Sequence, residues 1–556
     1  MPDEASLKPA RPAVVAVDLG RLNYQVLLTL TIAFGVYFLS LGSSGFAYSE
    51  GVRVFPGWEM ARHGDWWMPH LFEQAYLRKP PGMSWAVAGT SLLLGESEFS
   101  ARAVSAIATT LSALLSLWFA RRWFGPVWGM LAGPAFLLTP LYWYPGRSAE
   151  IEALHNLFVL GASLTVVEVM LRRGSWWWAG LLGLCIGGMA VSKGPAGLPC
   201  VAGAMAGACT AARSWSALRS PRLAAGLALG ACLASLVVWR LAVRAAELPE
   251  PPVLQGADHF LWRRDKLADI LTLPLVTAAS ALPWAFALVF ALPRPQNDHD
   301  QDRAGRAAAW AVVAALLIYT LAGVSNNRYA MPGTVLLPLV AAYAGWRLSR
   351  PGPRWMHLLA HWTGSRRVWL WLAGLLVAAS ISRGLTDHRR DTVTSGQRAG
   401  IALAEALPNG AVVWGDALID NRPEVAWYAR QHAARLGKDV RLIWTPAGKH
   451  GRGPFPRPPP GQFLIVLEEG QTELPESELS RYRRAGVLEG LRHLHTGRAH
   501  KFLFQVFQVP PEERLVSGHA EKPGIPRGPR PPSPSERVLF KKRRVMGLPS
   551  PADFVS

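Results

Sequence analysis

Between residues 24 and 383 the chain keeps returning to uninterrupted apolar stretches, and this recurrence constrains its fold more than any other feature. About 20 apolar residues at 1.5 Å per residue span the ~30 Å hydrocarbon layer of a bilayer as a helix. Backbone groups in lipid must pair internally, which leaves only helices or a closed barrel as crossing structures. The stretches are rich in Leu, Ala and Val and do not alternate, so they read as helices. The pattern predicts spans over 24–44, 98–119, 126–143, 153–171, 176–192, 195–212, 223–243, 270–292, 307–323, 329–346 and 368–383, about eleven in all. The stretch 82–95 is apolar but short, and reads as a re-entrant or interfacial segment. Val54 to Ala61 mixes apolar and polar positions, as does a helix lying on a membrane surface. The first span follows a polar leader, exceeds a signal-peptide core and has no evident cleavage site, so it reads as a retained helix.

The formal net charge is +20, yet much of the basic excess sits in short loops between apolar stretches. With the N-terminus in the cytoplasm, the loops carrying Arg121/Arg122, Arg172/Arg173, Arg213/Arg219/Arg222, Arg294/Arg303/Arg306 and Arg347/Arg350/Arg354/Arg366/Arg367 all fall inside, as the positive-inside rule wants. The outer face then receives 45–97, 144–152, the turn after Lys193, 244–269, 325–328 and everything beyond 384. The tail after Pro510 is basic and Pro-rich, reads as disordered, and lacks the interleaved aromatics of a nucleic-acid binder. The expected partners therefore include the membrane and exclude nucleic acid. The four cysteines, Cys185, Cys200, Cys209 and Cys232, lie in apolar stretches without ligand-like spacing and read as small buried residues.

Beyond 384 the pattern changes. "AVVWGD", "VRLIWTP", "QFLIVLEEG" and "KFLFQVFQV" read as strands, while "PEVAWYARQHAARLG" and "ESELSRYRRAGVLEGL" read as helices. The expected organisation is a leader over 1–23, an α-helical polytopic membrane domain over 24–383 with a long first external loop at 45–97, an extracytoplasmic α/β domain over 384–510, and the tail 511–556.

The predicted topology gathers ionisable residues at the outer face. Lys79 precedes Pro80-Pro81, which fix the backbone direction, and Lys193 ends an apolar helix before Gly-Pro. Two cations on rigid turns suit a phosphate at the membrane surface. Arg78 and Arg147 taken alone read as snorkelling anchors. Arg328 and Tyr329 lie in "SNNRYAMPG". Placement at a helix N-terminus accounts for Glu150 and less well for Glu152, which begins an apolar run; Glu50 closely follows the first span.

"SEGVRVFPGWEMARHGDWWMPHLFEQAYLRKPPGMSWA" resembles the first external loop of the aminoarabinose transferase and protein O-mannosyltransferase superfamily, GT-C glycosyltransferases that use polyprenyl-phosphate sugars. Glu50, Gly64-Asp65-Trp66, Pro69, Lys79-Pro80-Pro81 and Trp85 follow the family order, "GRSAEIEALHNLF" resembles its second acidic motif with Glu152 at the acidic position, and "SKGPAGL" and "RYAMPG" resemble later motifs. The likeness covers most of residues 20–350. The family often has Asp-Glu where this chain has Ser49-Glu50, and an acid where it has Arg78. The resemblance implies a GT-C fold and transfer, with inversion, from a polyprenyl-phosphate sugar to a lipid, glycan or protein acceptor at the outer face of the plasma membrane, without cofactor or metal. It implies that Glu50, with Glu152, deprotonates the acceptor. It further implies that Lys79 and Lys193, with Arg78, Arg328 and Tyr329, hold the donor phosphate, and that Asp65, Pro80, Pro81 and Arg147 complete the motifs. Two other classes fit the composition. A transporter or flippase of a polyprenyl-linked glycan would place its site at the midplane on broken helices in paired halves, and no repeat between halves is evident. A scaffold without activity would tolerate Glu50→Gln.

Overall fold

A computed structural model of the chain describes residues 19–46, 49–71, 74–172, 175–248, 253–254, 267–293, 300–349, 394–415, 423–444, 458–469, 488–499 and 502–510, with scattered residues between 365 and 378. In chain order the membrane-domain helices are α1 (Leu19–Ala33, continued by a π turn Phe34–Phe38), α2 (Gly51–His63), α3 (Gly82–Leu94), α4 (Glu98–Phe124), α5 (Pro126–Leu137), α6 (Trp143–Arg147), α7 (Ile151–Leu171), α8 (Trp177–Lys193), α9 (Leu198–Ala212), α10 (Pro221–Ala246), α11 (Leu267–Ser280), α12 (Ala287–Ala291), α13 (Asp300–Leu321), α14 (Asn327–Ala330) and α15 (Leu337–Leu348). Each expected span up to residue 346 contains a helix, and the span expected over 368–383 lies largely outside the described residues.

Helix length does not establish the expected eleven spans. Five described stretches are long and apolar enough to cross a membrane, or six if α11 and Trp284–Ala291, bent by 107° to each other, form one. The shortfall comes from local breaks: Pro283 interrupts the segment 270–292, Pro140 starts a new turn after α5, and Pro332 and Pro338 divide 329–346. The stretch Trp177–Ala212 is folded back on itself. Gly161 packs on Cys185 and Gly188 on Phe158, so α7 and α8 are antiparallel. Gly203 lies against Ala311 and Ala315, and Gly207 against Ala307, so α9 and α13 are antiparallel. Tyr319, near the end of α13, donates to Ala196 O at 2.7 Å. These contacts put the α8–α9 turn, the start of α7 and the end of α13 at one end of the bundle. The opposite end carries Arg122 and Arg172 around the buried Glu168. Cys185, Cys200 and Cys209 are buried as expected, whereas Cys232 is exposed on α10, whose apolar face lacks protein cover.

The first external loop contributes β1 (His70–Leu71) and β2 (Gln74–Leu77), with β3 (Val253–Leu254) parallel to β2. The C-terminal part contains α16 (Ser395–Ala406), β4 (Ala411–Gly415), α17 (Pro423–Arg435), β5 (Val440–Trp444), β6 (Phe463–Glu469), β7 (Arg492–Ala499) and β8 (Phe502–Gln508). The sheet order is β5-β4-β6-β8-β7, parallel across its first three strands and antiparallel after. All four expected strands are present. β7, whose "RHLHTGRA" has no clean alternation, and α16 were not anticipated; the helix expected over "ESELSRYRRAGVLEGL" lies outside the described residues except for its last four, 488–491, which form a turn.

The helix expected to lie on the membrane surface is instead covered. α2 has eight buried residues and packs against α3 and α17. Trp427 of α17 meets Phe46, Phe55 and Trp58 at ring-centroid distances of 5.7, 5.7 and 5.1 Å. Tyr428 Oη donates to Glu98 at 2.8 Å and accepts from the Phe46 amide at 2.7 Å. Burying each of these large rings contributes on the order of 1.5–3 kcal/mol. The C-terminal part is thus joined to the segment that enters the site.

Candidate active site

Four separate chain segments converge at the α8–α9 end of the bundle. The Lys79-Pro80-Pro81 turn is set by its prolines, and Pro81 caps α3, its carbonyl accepting from the Trp85 amide at 2.8 Å. A Cβ at Gly82 would lie 2.6 Å from Val191 O, so a glycine lets this turn press against the last turn of α8. Lys193 ends α8, and Gly194 stops it with φ +68°, a left-handed conformation that favours glycine. From the first turn of α7, Glu152 meets Lys193 Nζ at 3.1 Å, with both side chains buried. Arg328 enters on α14, where the Asn326 side chain accepts from its amide at 2.9 Å. Its guanidinium forks onto Glu152, Nε to Oε1 at 2.6 Å and Nη2 to Oε2 at 2.9 Å, and Nη2 also reaches Glu150 Oε2 at 2.5 Å. The Tyr329 ring lies 4.7 Å from Lys193 Nζ.

Lys79 sits beside this cluster and interacts electrostatically with Arg53, Lys193, Glu152 and Arg328. Burial, reinforced by Arg53 and Lys193, brings its ammonium down from 10.5 to about 8. Arg53 projects from the first turn of α2, and its Nε is buried without a hydrogen-bond partner among the described residues. Among the described residues, the carboxylates that face Lys79, Lys193, Arg53 and Arg328 are Glu150 and Glu152. Counted over the described residues, with each group ionised, the cluster carries an excess of two positive charges.

Glu50 lies in a buried ion pair. Arg102 Nε and Nη2 donate to its two oxygens, each at 2.8 Å, and the Ala149 amide donates to Oε1 at 2.8 Å. Arg102 also donates to the carbonyls of Leu41, Ser44 and Gly45. This buried fork fixes the chain that leads into α2 and Arg53. Ser49, standing where the family often has Asp, donates to Glu150 Oε1 at 2.5 Å. Asp65 accepts from the Trp67 and Met68 amides and from Arg244 Nη2 at 2.8 Å, tying the external loop to the end of α10. Burial opposes ionisation of Asp65, but Arg244 and the two amides hold its carboxyl below the usual range. Arg147 donates to Val36 O, and to Leu39 O at 2.9 Å, closing the π turn after α1. Arg78 lies over the Tyr76 ring at 5.9 Å.

The structure thus joins Lys79, Lys193, Glu152, Arg328 and Tyr329, and places Asp65, Arg147 and Arg78 in other contacts. Sequence reasoning missed Arg53, Arg102 and the role of Glu150. Arg102 carried a signal, since an ionisable residue inside an apolar span marks a function or a buried partner. One further contact supports Lys193 from beneath. Ser192 Oγ donates to Met189 O at 3.1 Å, so it accepts from His155 Nδ1 at 2.9 Å. His155, one turn after Glu152, thereby staples α7 to α8 just below the Glu152–Lys193 pair.

A cavity of about 570 Å³ opens beside the cluster. Apolar side chains of α8, α9 and α10 line it, and Lys79, with Pro80, Gly194 and Pro195, closes one part; Lys79 is the one charged residue among its described lining.

Comparison with known proteins places this architecture. Residues 78–239 match the family model described as dolichyl-phosphate-mannose-protein mannosyltransferase. The undecaprenyl phosphate-alpha-4-amino-4-deoxy-L-arabinose arabinosyl transferase of Pseudomonas paraeruginosa is 30% identical over 340 residues, covering 57% of this chain and 58% of that protein. The enzyme of the same description from Enterobacter sp. is 26% identical over 300 residues, covering 51% and 52%. The chain spans about half the length of the curated relatives it matches. The crystal structure of ArnT from Cupriavidus metallidurans in the apo state superposes with a TM-score of 0.60 at 17% identity, over 87% of this chain and 98% of that one. The same protein bound to undecaprenyl phosphate gives 0.59 at 18% identity, over 86% and 97%. The fold is the GT-C fold of a polytopic membrane protein. Within that class the chain is aminoarabinose transferase- and protein mannosyltransferase-like.

Proposed function

We propose that the chain is a membrane glycosyltransferase that moves a sugar from a polyprenyl-phosphate donor to an acceptor hydroxyl or phosphate on a lipid, glycan or protein, with inversion, at the outer face of the inner membrane, where its α/β domain also lies. The observation that carries this reading is the junction at Lys79 between an apolar cavity and a cluster with two excess positive charges. A polyprenyl chain fits the first and its phosphate the second.

The charge count also fits catalysis. A polyprenyl-phosphate sugar carries one negative charge, and the polyprenyl phosphate that leaves carries two. As the bond from the anomeric carbon to the phosphate oxygen breaks, negative charge grows on that phosphate beside Lys79, Lys193, Arg53 and Arg328. Stabilisation that increases along the reaction accelerates it. Glu152 takes the acceptor proton while the acceptor oxygen bonds the anomeric carbon, and Arg328, itself anchored on Glu150, holds Glu152 in place. Glu50, through Arg102, positions the segment carrying Arg53.

The test uses purified protein in nanodiscs, with undecaprenyl phosphate as ligand and a panel of radiolabelled undecaprenyl-phosphate sugars with membrane extract as acceptor. Label should move to a new product, and Lys79→Ala should abolish that transfer and weaken undecaprenyl phosphate binding by tenfold or more. Donor that crosses the bilayer without product would favour a transporter. The pH dependence follows from the sign of the Lys79 shift. The ammonium binds the anion, so affinity should fall above pH about 8, the value to which burial depresses it, and Lys79→Arg should remove this alkaline limb. Unchanged affinity up to pH 10 would remove Lys79 from the phosphate site. The His155 staple gives a separate test. His155→Asn keeps a donor at the Nδ1 position, whereas His155→Leu keeps volume only. The Leu variant should bind undecaprenyl phosphate roughly tenfold more weakly, the scale of one lost hydrogen bond, and the Asn variant should stay near wild type. Equal behaviour of the two would reduce His155 to packing.

A further inference from the structure

The loop that supplies Arg328 has a second side. Ser325, Asn326, Asn327 and Tyr329 border a chamber of about 540 Å³, closed opposite by Asp269 and Thr272 of α11, with Leu273 and Val276 contributing its apolar surface. The chamber is close in size to the cavity beside Lys79 but differs in its lining. Its lining combines a carboxylate, two amides, two aliphatic hydroxyls and a phenol, and no cation appears among its described lining. Asn327 Nδ2 donates to Ser280 Oγ at 3.1 Å, while its Oδ1 is buried without a hydrogen-bond partner among the described residues. Tyr329 is shared: it borders the chamber and lies against Lys193. Tyr329 therefore stands between the phosphate-holding cations and the polar wall of the chamber.

We infer that this chamber is a carbohydrate subsite, which seats a neutral or cationic hydroxyl-rich ring against Asp269, Thr272, Asn326 and Asn327. The inference rests on the glycosyltransferase reading above. A carboxylate without a neighbouring lining cation disfavours a phosphate and accepts from sugar hydroxyls, or from an ammonium on the ring. Amides and hydroxyls satisfy the remaining ring groups, and an aromatic at the edge offers its face to ring C–H bonds. The ring belongs either to the donor, with its phosphate across Tyr329 at the cations, or to an acceptor glycan approaching the anomeric carbon from the side opposite the phosphate. Both sources present the same chemistry to this wall.

The experiment compares wild type with Asp269→Asn, Thr272→Val and Asn327→Ala, full-length in nanodiscs, in three measurements. Binding of sugar-free undecaprenyl phosphate comes first. It should stay within about twofold in all three variants, because the phosphate is held on the other side of Tyr329, and this doubles as the check on folding. Absence of binding in wild type would overturn the donor reading itself, and this inference with it. The second measurement is the affinity of undecaprenyl-phosphate monosaccharides relative to undecaprenyl phosphate. A loss of that increment by roughly five- to tenfold, the scale of one hydrogen bond, places the donor's ring in the chamber. The third is the concentration of membrane glycolipid extract giving half-maximal transfer. A five- to tenfold rise there, with the donor increment intact, places an acceptor glycan in the chamber. Variants unchanged in both quantities, with undecaprenyl phosphate still bound, would overturn the inference.

Discussion

Glu50→Gln is expected to destabilise the folded chain by about 3–5 kcal/mol, the usual cost of leaving a buried charge without its partner. Arg102 is almost wholly buried and forks onto both carboxylate oxygens, so a glutamine would turn an NH2 donor toward a guanidinium donor. The three carbonyls that Arg102 also holds, at Leu41, Ser44 and Gly45, would lose their common anchor with it. Those residues lead directly into α2, so Arg53 would lose its place and donor binding would fail together with stability. The measurement is the unfolding midpoint of purified protein alongside turnover. A large fall in both supports a positioning role for Glu50. An unchanged midpoint with lost turnover would instead make Glu50 the residue that takes the acceptor proton, as the family resemblance implies.

This ambiguity shows what was legible in the chain and what was not. The helices up to residue 346 could be read because apolar runs carry their own signal. Lys79 and Lys193 could be read because the prolines and glycines after them encode local geometry, and the structure presses Gly82 against Val191 and turns the chain at Gly194 as that geometry requires. The partners could not be read in the same way. Nothing local to Glu50 announces that Arg102, beyond two intervening helices, will fork onto it, and nothing local to Glu150 announces Arg328. A carboxylate's role depends on which cation the fold brings, and that is set by helix packing across long sequence separations. The span count is not settled by helix length for the opposite reason. A hydropathy window averages over single prolines, whereas the backbone breaks near Pro140, Pro283 and Pro332.

Glu152→Gln is expected to separate binding from chemistry. The amide keeps the shape of Glu152; its oxygen still accepts from Arg328 Nε and Lys193 Nζ, and Arg328 Nη2, facing the new NH2, keeps Glu150 as its acceptor. Loss of the carboxylate raises the excess at the cluster from two positive charges to three, so the dianionic undecaprenyl phosphate should bind at least as tightly as to wild type. Retained binding also shows that the variant is folded. Turnover should nevertheless drop by about 10²- to 10⁴-fold, the usual contribution of a positioned general base. Weakened binding and weakened turnover in equal measure would make Glu152 a structural partner of Lys193 and Arg328. Turnover within a few-fold of wild type would move the proton to Glu150, which shares Arg328 and is hydrogen-bonded to Ser49. In that case the Ser49 hydroxyl, standing where the family often carries an acid, would be the contact that sets the basicity of the reacting carboxylate, and Ser49→Ala would shift the acid limb of the pH–rate profile upward.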